Sequence, residues 1–178
     1  MSMLSAFVLA SSMLVSGFGF AQEHKVFCSA VPGWAIGEEV PAAQEYSVLT
    51  HELLDAKKAA EIVKNEKVAF IDSRSDEDVK GGTIPRTIHI VSDSKDPAKH
   101  QFSNEKFLVE KLNKKLNTQF SKVSDFKDYK VVLFCNGKKC HRSTFAACTL
   151  RDLGFPKDNI YLMLGGFGEW KAAGLPVK

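Results

Sequence analysis

Apolar runs and amphipathic stretches alternate along most of the chain. Two runs, 68–72 (Val-Ala-Phe-Ile-Asp) and 130–134 (Lys-Val-Val-Leu-Phe), are almost continuously apolar. They predict strands buried on both faces, because a strand covered on one side alternates apolar with polar residues. Shorter β-rich runs at 45–50, 87–90 and 159–163 predict three more strands. Between the strands the spacing becomes helical. Helices are expected over 56–64 with Asp55 as N-cap, over 104–116 with Ser103 as N-cap, and over 143–153. A short last helix, 167–173, is closed by Gly174 and followed by Pro176. Strands alternating with helices in this way predict an α/β domain: a central, mostly parallel, five-stranded sheet with helices on both faces. Segment 103–129 is rich in Lys and Asn and reads as a helix plus a solvated connection. Phe167 and Trp170, at helical spacing, read as core residues.

The N-terminus has a different texture. Residues 1–21 carry no charged side chain, and an apolar run extends from Leu4 to Leu14. That run is shorter than the ~20 apolar residues a spanning helix needs. Gly19 and Ala21 place small residues three and one positions before Gln22, so residues 1–21 are expected to be a secretory signal peptide cleaved before Gln22. The absence of Lys or Arg near its start departs from the usual pattern. Residues 22–44 then form an N-terminal extension and 45–178 a single folded domain. The expected location is periplasmic or secreted, with no membrane span after signal cleavage. The 24 Lys and Arg against 21 Asp and Glu give a net charge of +3. With both signs interspersed, so mild a surplus argues against nucleic acid as a partner.

The chemistry concentrates after the 130–134 run, where the chain reads Cys135-Asn136-Gly137-Lys138-Lys139-Cys140-His141-Arg142-Ser143 and then turns helical. In sheets of this class, ligands bind where strands end and helices begin. A Gly-containing loop entering a helix can turn several N–H groups toward one point and so stabilise an anion. Applied to Cys135, those groups and the cations Lys138, Lys139 and Arg142 favour the thiolate, which is the nucleophile, and attract an anionic substrate. The alternative is a Cys135 that packs as a small inert hydrophobe. His141 reads as a solvated loop residue beside it.

Three separated segments, in this order, resemble the rhodanese homology domain. The first is Ile71-Asp72-Ser73-Arg74 followed by Gly82-Thr83-Ile84-Pro85-Arg86-Thr87-Ile88, the second is the Cys135 loop, and the third runs from Gly165-Gly166-Phe167-Gly168-Glu169-Trp170 to Val177. The resemblance implies a rhodanese-like sulfurtransferase. Cys135 would take sulfane sulfur from a small anionic donor such as thiosulfate, hold it as a persulfide, and pass it to a thiophilic acceptor, an unidentified thiol or protein. It implies no metal and no organic cofactor. It also implies that Asp72 and Arg74 brace the active-site loop without touching substrate, against the alternative of an ordinary surface ion pair.

The departures from that family shape the remaining expectations. Where many members place Arg or Ser five positions after the nucleophile, this chain has Cys140, and Arg142 follows two residues later. The longer loop argues against a phosphatase, whose Cys-x5-Arg loop is sized for phosphate. Thr83 and Arg86 stand where the family's turn has His and Gly. Cys140 suggests a second reading, an exported thiol-redox or sulfur-carrier module in which Cys140 closes a Cys135–Cys140 disulfide or accepts sulfur for a protein partner. A haem-attachment reading of Cys135-x4-Cys140-His141 has the wrong spacing and leaves the other two segments unexplained. The sequence has four Cys, which allow three complete pairings. Phe145 and Cys148 share a helix face that is usually polar in the resembled family, which suggests that the extension with Cys28 and Trp34 covers them and that Cys28–Cys148 is a disulfide, against the alternative of two buried free thiols. His24, His51, His89 and His100 share no metal-ligand spacing.

Overall fold

A computed structural model describes residues 49–178. The signal-peptide expectation, the extension and the Cys28 end of the Cys28–Cys148 pairing lie outside the described residues. Five strands form one sheet in the order β1-β5-β4-β2-β3: β1 (Glu52–Leu53), β2 (Val68–Asp72), β3 (Ile88–His89), β4 (Lys130–Phe134) and β5 (Ile160–Met163). Every strand pair is parallel. The two continuous apolar runs are the two longest strands and lie side by side, with Val68 opposite Lys130 and Asp72 opposite Phe134.

Helices cover both faces, as the alternating pattern predicts. On one face α3 (Glu105–Leu116) and α4 (Arg142–Asp152) pack Leu108, Leu112, Ala146 and Leu150 against Ile71 and Leu133. On the other, α1 (Ala56–Ile62) and α5 (Gly166–Ala172) pack Ala59, Phe167 and Trp170 against Phe70 and Phe134. Trp170 is core, as expected, and its indole N–H donates to the Pro176 carbonyl at 2.8 Å. Asp55 caps α1 by accepting the Lys58 N–H. Beyond the end of α5, Gly174 adopts φ +67°, where a side chain would be strained.

Several elements differ from expectation for identifiable reasons. Residues 45–48 of the first expected strand lie outside the described residues; Leu49 and Thr50, though buried, form no strand, and the first described strand is β1. The ladder opposite begins only at Ile160, whose carbonyl accepts the His51 N–H at 2.7 Å. Asn104, not Ser103, caps α3, accepting the Phe107 N–H, while the Ser103 hydroxyl donates backward to the His100 carbonyl. A one-turn helix, α2 (Asp76–Val79), follows β2. The connection after α3 is not a solvated stretch, because Val123 and Phe126 are fully buried and Phe120 meets Phe126 edge-on at 4.8 Å.

Candidate active site

Cys135 occupies the carboxyl end of β4, the middle strand of the sheet, and is 1% exposed. Residues 136–141 make the loop, and α4 begins at Arg142, one residue before the expected start at Ser143. Asn136, Lys138 and Lys139 are exposed, while Gly137, Cys140 and His141 are half-buried. A shallow depression of about 460 Å³ is lined by residues 136–140. Ser143 is buried and does not line it. Cys135 and Cys140 are joined by a disulfide with their Cα atoms 6.0 Å apart. The Cys140 N–H donates to the Gly137 carbonyl at 2.9 Å and closes the turn between them. No side chain caps α4, whose first N–H groups have no acceptor within the helix.

The start of this loop is fastened to α5. The Phe167 N–H donates to the Cys135 carbonyl at 2.7 Å and the Gly168 N–H to the Asn136 carbonyl at 2.9 Å. Those bonds need close approach of two backbones. At Gly166, which has φ +59°, an added Cβ would collide with the Cys135 carbonyl oxygen and would lie 2.8 Å from the Gly137 nitrogen. At Gly168 it would lie 3.0 Å from the Asn136 carbonyl oxygen. The glycines of the C-terminal motif therefore let the chain pass against the Cys135 loop.

Asp72 and Arg74 are not a surface pair: their side chains are 0% and 2% exposed. Arg74 donates through Nε to Asp72 Oδ1 at 2.9 Å and through Nη2 to Oδ2 at 2.7 Å, a two-point contact. The guanidinium also donates to the carbonyls of Gly82 at 2.7 Å and Asp78 at 3.3 Å, and the Thr83 hydroxyl donates to Asp72. Thr83 thus ties the family's altered turn to the same carboxylate. Arg86, at the family's glycine position, keeps a left-handed backbone with φ +67°. None of these hydrogen bonds goes to residues 136–141. The link to Cys135 is indirect: the Arg74 guanidinium lies 4.1 Å over the Phe167 ring, and Phe167 holds the Cys135 carbonyl.

Arg142 does not extend into the depression beside Cys140. It donates to Asp93 Oδ2 at 3.2 Å and lies 3.7 Å from Asp78 Oδ2. The two extra loop residues place it on α4, where these carboxylates claim it. Asp78, which the sequence reading passed over, touches both ends of the loop. The Ser75 hydroxyl above all, together with the Asn136 side chain and the Arg142 charge, holds its carboxyl below the ordinary range despite partial burial. For Asp93 burial is the strongest influence and pushes the carboxyl up, but the N–H groups of Lys95 and Asp96 with Arg142 outweigh it and the net shift is downward. Burial, then Arg142 and Lys95, lower the His141 pKa.

His100 stands behind this cluster. It accepts the Asp93 N–H at Nδ1 (3.3 Å), which leaves Nε2 to donate to the Thr149 hydroxyl of α4 (3.0 Å). Burial pushes its pKa down to about 4. Its ring packs 4.4 Å from Phe145. Part of what covers Phe145 is therefore His100, where the sequence reading assigned that role to the N-terminal extension. Cys148, on the same helix, is buried. No cluster of three or more His, Cys, Asp or Glu suited to a metal occurs among the described residues, and no described helix is long and apolar enough to cross a membrane.

The family model for the rhodanese-like domain matches residues 55–173, a span that contains every site element described above. No curated protein matches the chain. Among solved structures, a Bacillus halodurans protein is similar at 21% identity and TM-score 0.52, covering 76% of this chain and 82% of its own. A Rhodopseudomonas palustris protein of unknown function, for which tyrosine phosphatase activity has been suggested, is similar at 23% identity and TM-score 0.52, covering 79% and 95%. The polysulfide-sulfur transferase homodimer of Wolinella succinogenes is similar at 23% identity and TM-score 0.50, covering 76% and 83%. At these identities the three structures speak to the fold.

Proposed function

The chain belongs to the family of rhodanese-like domains, and on that premise we propose that it is a sulfurtransferase whose Cys135 carries sulfane sulfur as a persulfide. The observation that carries this reading is the place of Cys135: the end of the central strand, fixed through its own carbonyl, one loop ahead of an uncapped helix. In the reduced protein the thiolate of Cys135 attacks the outer sulfur of a small anionic donor such as thiosulfate. The sulfur–sulfur bond of the donor breaks, sulfite leaves with the electron pair, and the persulfide remains. The helix start of α4 and the exposed Lys138 and Lys139 stabilise both anions. A thiol or protein acceptor then takes the outer sulfur. Asp72 and Arg74 act as positioning residues through Phe167, and no metal or organic cofactor takes part. We further propose that residues 1–21 act as a signal peptide and that this chemistry is carried out in the periplasm or by a secreted protein; the uncharged, apolar character of those residues supports that reading.

The Cys135–Cys140 disulfide favours a second reading, a thiol-redox or sulfur-carrier module that serves a protein partner. Incubating the reduced protein with thiosulfate and cyanide separates the two. Thiocyanate formation that is lost in Cys135→Ser and persists in Cys140→Ser supports the sulfurtransferase. Absence of turnover in all forms, with Cys135 and Cys140 cycling between dithiol and disulfide, supports the redox module.

A further inference from the structure

We propose that Cys140 discharges the Cys135 persulfide within the same chain, releasing hydrosulfide and leaving the disulfide that the structure contains. This rests on the persulfide reading of Cys135. The two cysteines differ in how they are held. Cys135 is buried, with its carbonyl fixed by Phe167. Cys140 is half-buried at the far end of a loop in which Asn136, Lys138 and Lys139 are exposed, and its own N–H bond is to Gly137 within that loop. The structure holds the Cys140 sulfur bonded to the Cys135 sulfur with the loop folded and the fastenings to α5 intact. The product of an attack by Cys140 on the inner sulfur of the persulfide is therefore a conformation this loop adopts.

The chemistry balances without an outside oxidant. The Cys140 thiolate forms a bond to Cys135 Sγ, the bond from Cys135 Sγ to the outer sulfur of the protonated persulfide breaks, and the outer sulfur departs with that electron pair, keeping its proton, as hydrosulfide. Two thiols are oxidised to one disulfide, and the sulfane sulfur is reduced by the same two electrons. Hydrosulfide is a weaker base than an alkyl thiolate, and in thiol exchange the less basic sulfur leaves faster. The flanking Lys138 and Lys139 favour the attacking anion. An external dithiol must then reopen the disulfide, and access sets its direction. The reductant's thiolate bonds to Cys140, the more exposed sulfur, and Cys135 leaves as the thiolate needed for the next cycle. The reductant's second thiol releases Cys140.

Intact-mass and hydrosulfide measurements on the reduced whole chain, given thiosulfate and no thiol acceptor, test this. Wild type is expected to release one hydrosulfide per chain and to end two hydrogen atoms lighter, with peptide mapping assigning the new disulfide to Cys135 and Cys140. Cys140→Ser is expected to gain the mass of one sulfur atom, keep it, and release no hydrosulfide. A wild type that holds the added sulfur as stably as Cys140→Ser overturns the inference and leaves the persulfide reading standing. A Cys140→Ser variant, folded by circular dichroism, that gains no sulfur from either thiosulfate or inorganic polysulfide overturns the persulfide reading and the inference with it.

Discussion

The loop that carries Cys135 is flanked at both ends by arginine paired with carboxylate, the first pair acting on it only through Phe167, and the two anchors are built in opposite ways. On the α5 side, Arg74 and Asp72 have side-chain exposures of 2% and 0%, and the guanidinium donates to Asp72, Gly82 and Asp78 and is covered by Phe167. On the α4 side, Arg142 is 25% exposed, and its partners Asp93 and Asp78 are 14% and 33% exposed. A dry, two-point pair fixes geometry and is costly to break, whereas a wet one of longer reach adapts. The first anchor stands behind Cys135 and the second behind the far end of its loop.

Removing one partner of the dry pair has the largest expected effect. Arg74→Ala strands the Asp72 carboxylate in the core and is expected to destabilise the fold by about 3–5 kcal/mol in chemical denaturation, the cost of an uncompensated buried charge. A loss no greater than that of an exposed pair would collapse the distinction between the anchors. Next comes acid, which acts on the α4 side through His100. The unfolded chain takes up this proton below pH 6.5 and the folded one only below about 4. Between those values the unfolded state binds more protons, so stability falls as pH drops through that window, by up to about 3 kcal/mol. Denaturation midpoints followed from pH 7 to 4 in wild type and His100→Gln should converge on acidification. The lowered carboxyls of Asp78 and Asp93 give up their contribution only further down, below the ordinary carboxylate range near 3.8.

Gly166→Ala attacks the joint between the dry anchor and the nucleophile. With positive φ and backbone atoms in the way of a Cβ, it is expected to cost roughly 2 kcal/mol. Persulfide formation should slow by more than the stability loss explains, which single-turnover mass spectrometry would read. The smallest effect belongs to the wet anchor. Arg142→Ala should change stability by about 1 kcal/mol or less, the more so as its buried Nε finds no hydrogen-bond partner among the described residues.

How far these anchors could be read from sequence follows the same division. The two central strands were legible to the residue, because a fully buried parallel strand announces itself as an unbroken apolar run. The position of Cys135 follows from that alone. Asp72 and Arg74 were legible only through the family resemblance, and their burial was not legible at all. A charge next to an apolar run gives no sign of whether it turns in or out. The α4 anchor was invisible: Arg142 joins Asp93 and Asp78 across 49 and 64 positions (142 − 93 and 142 − 78), distances at which no local pattern operates. The four-residue α2 gave no periodicity to read, since three of its residues are acidic. Pairing Cys135 with Cys140 was one option among those four cysteines allow, and the choice needed the folded loop.

The crossing at Gly166 has no slack, for what opposes a larger residue there is main chain, which cannot rotate aside as a side chain can. Changes in loop length must therefore be absorbed downstream, between Gly137 and the first turn of α4. An insertion there moves the partner thiol and the arginine while the reactive sulfur stays where it was. The stretch after Gly137 is thus where a few altered residues can change what surrounds Cys135, with its own main chain as the fixed point.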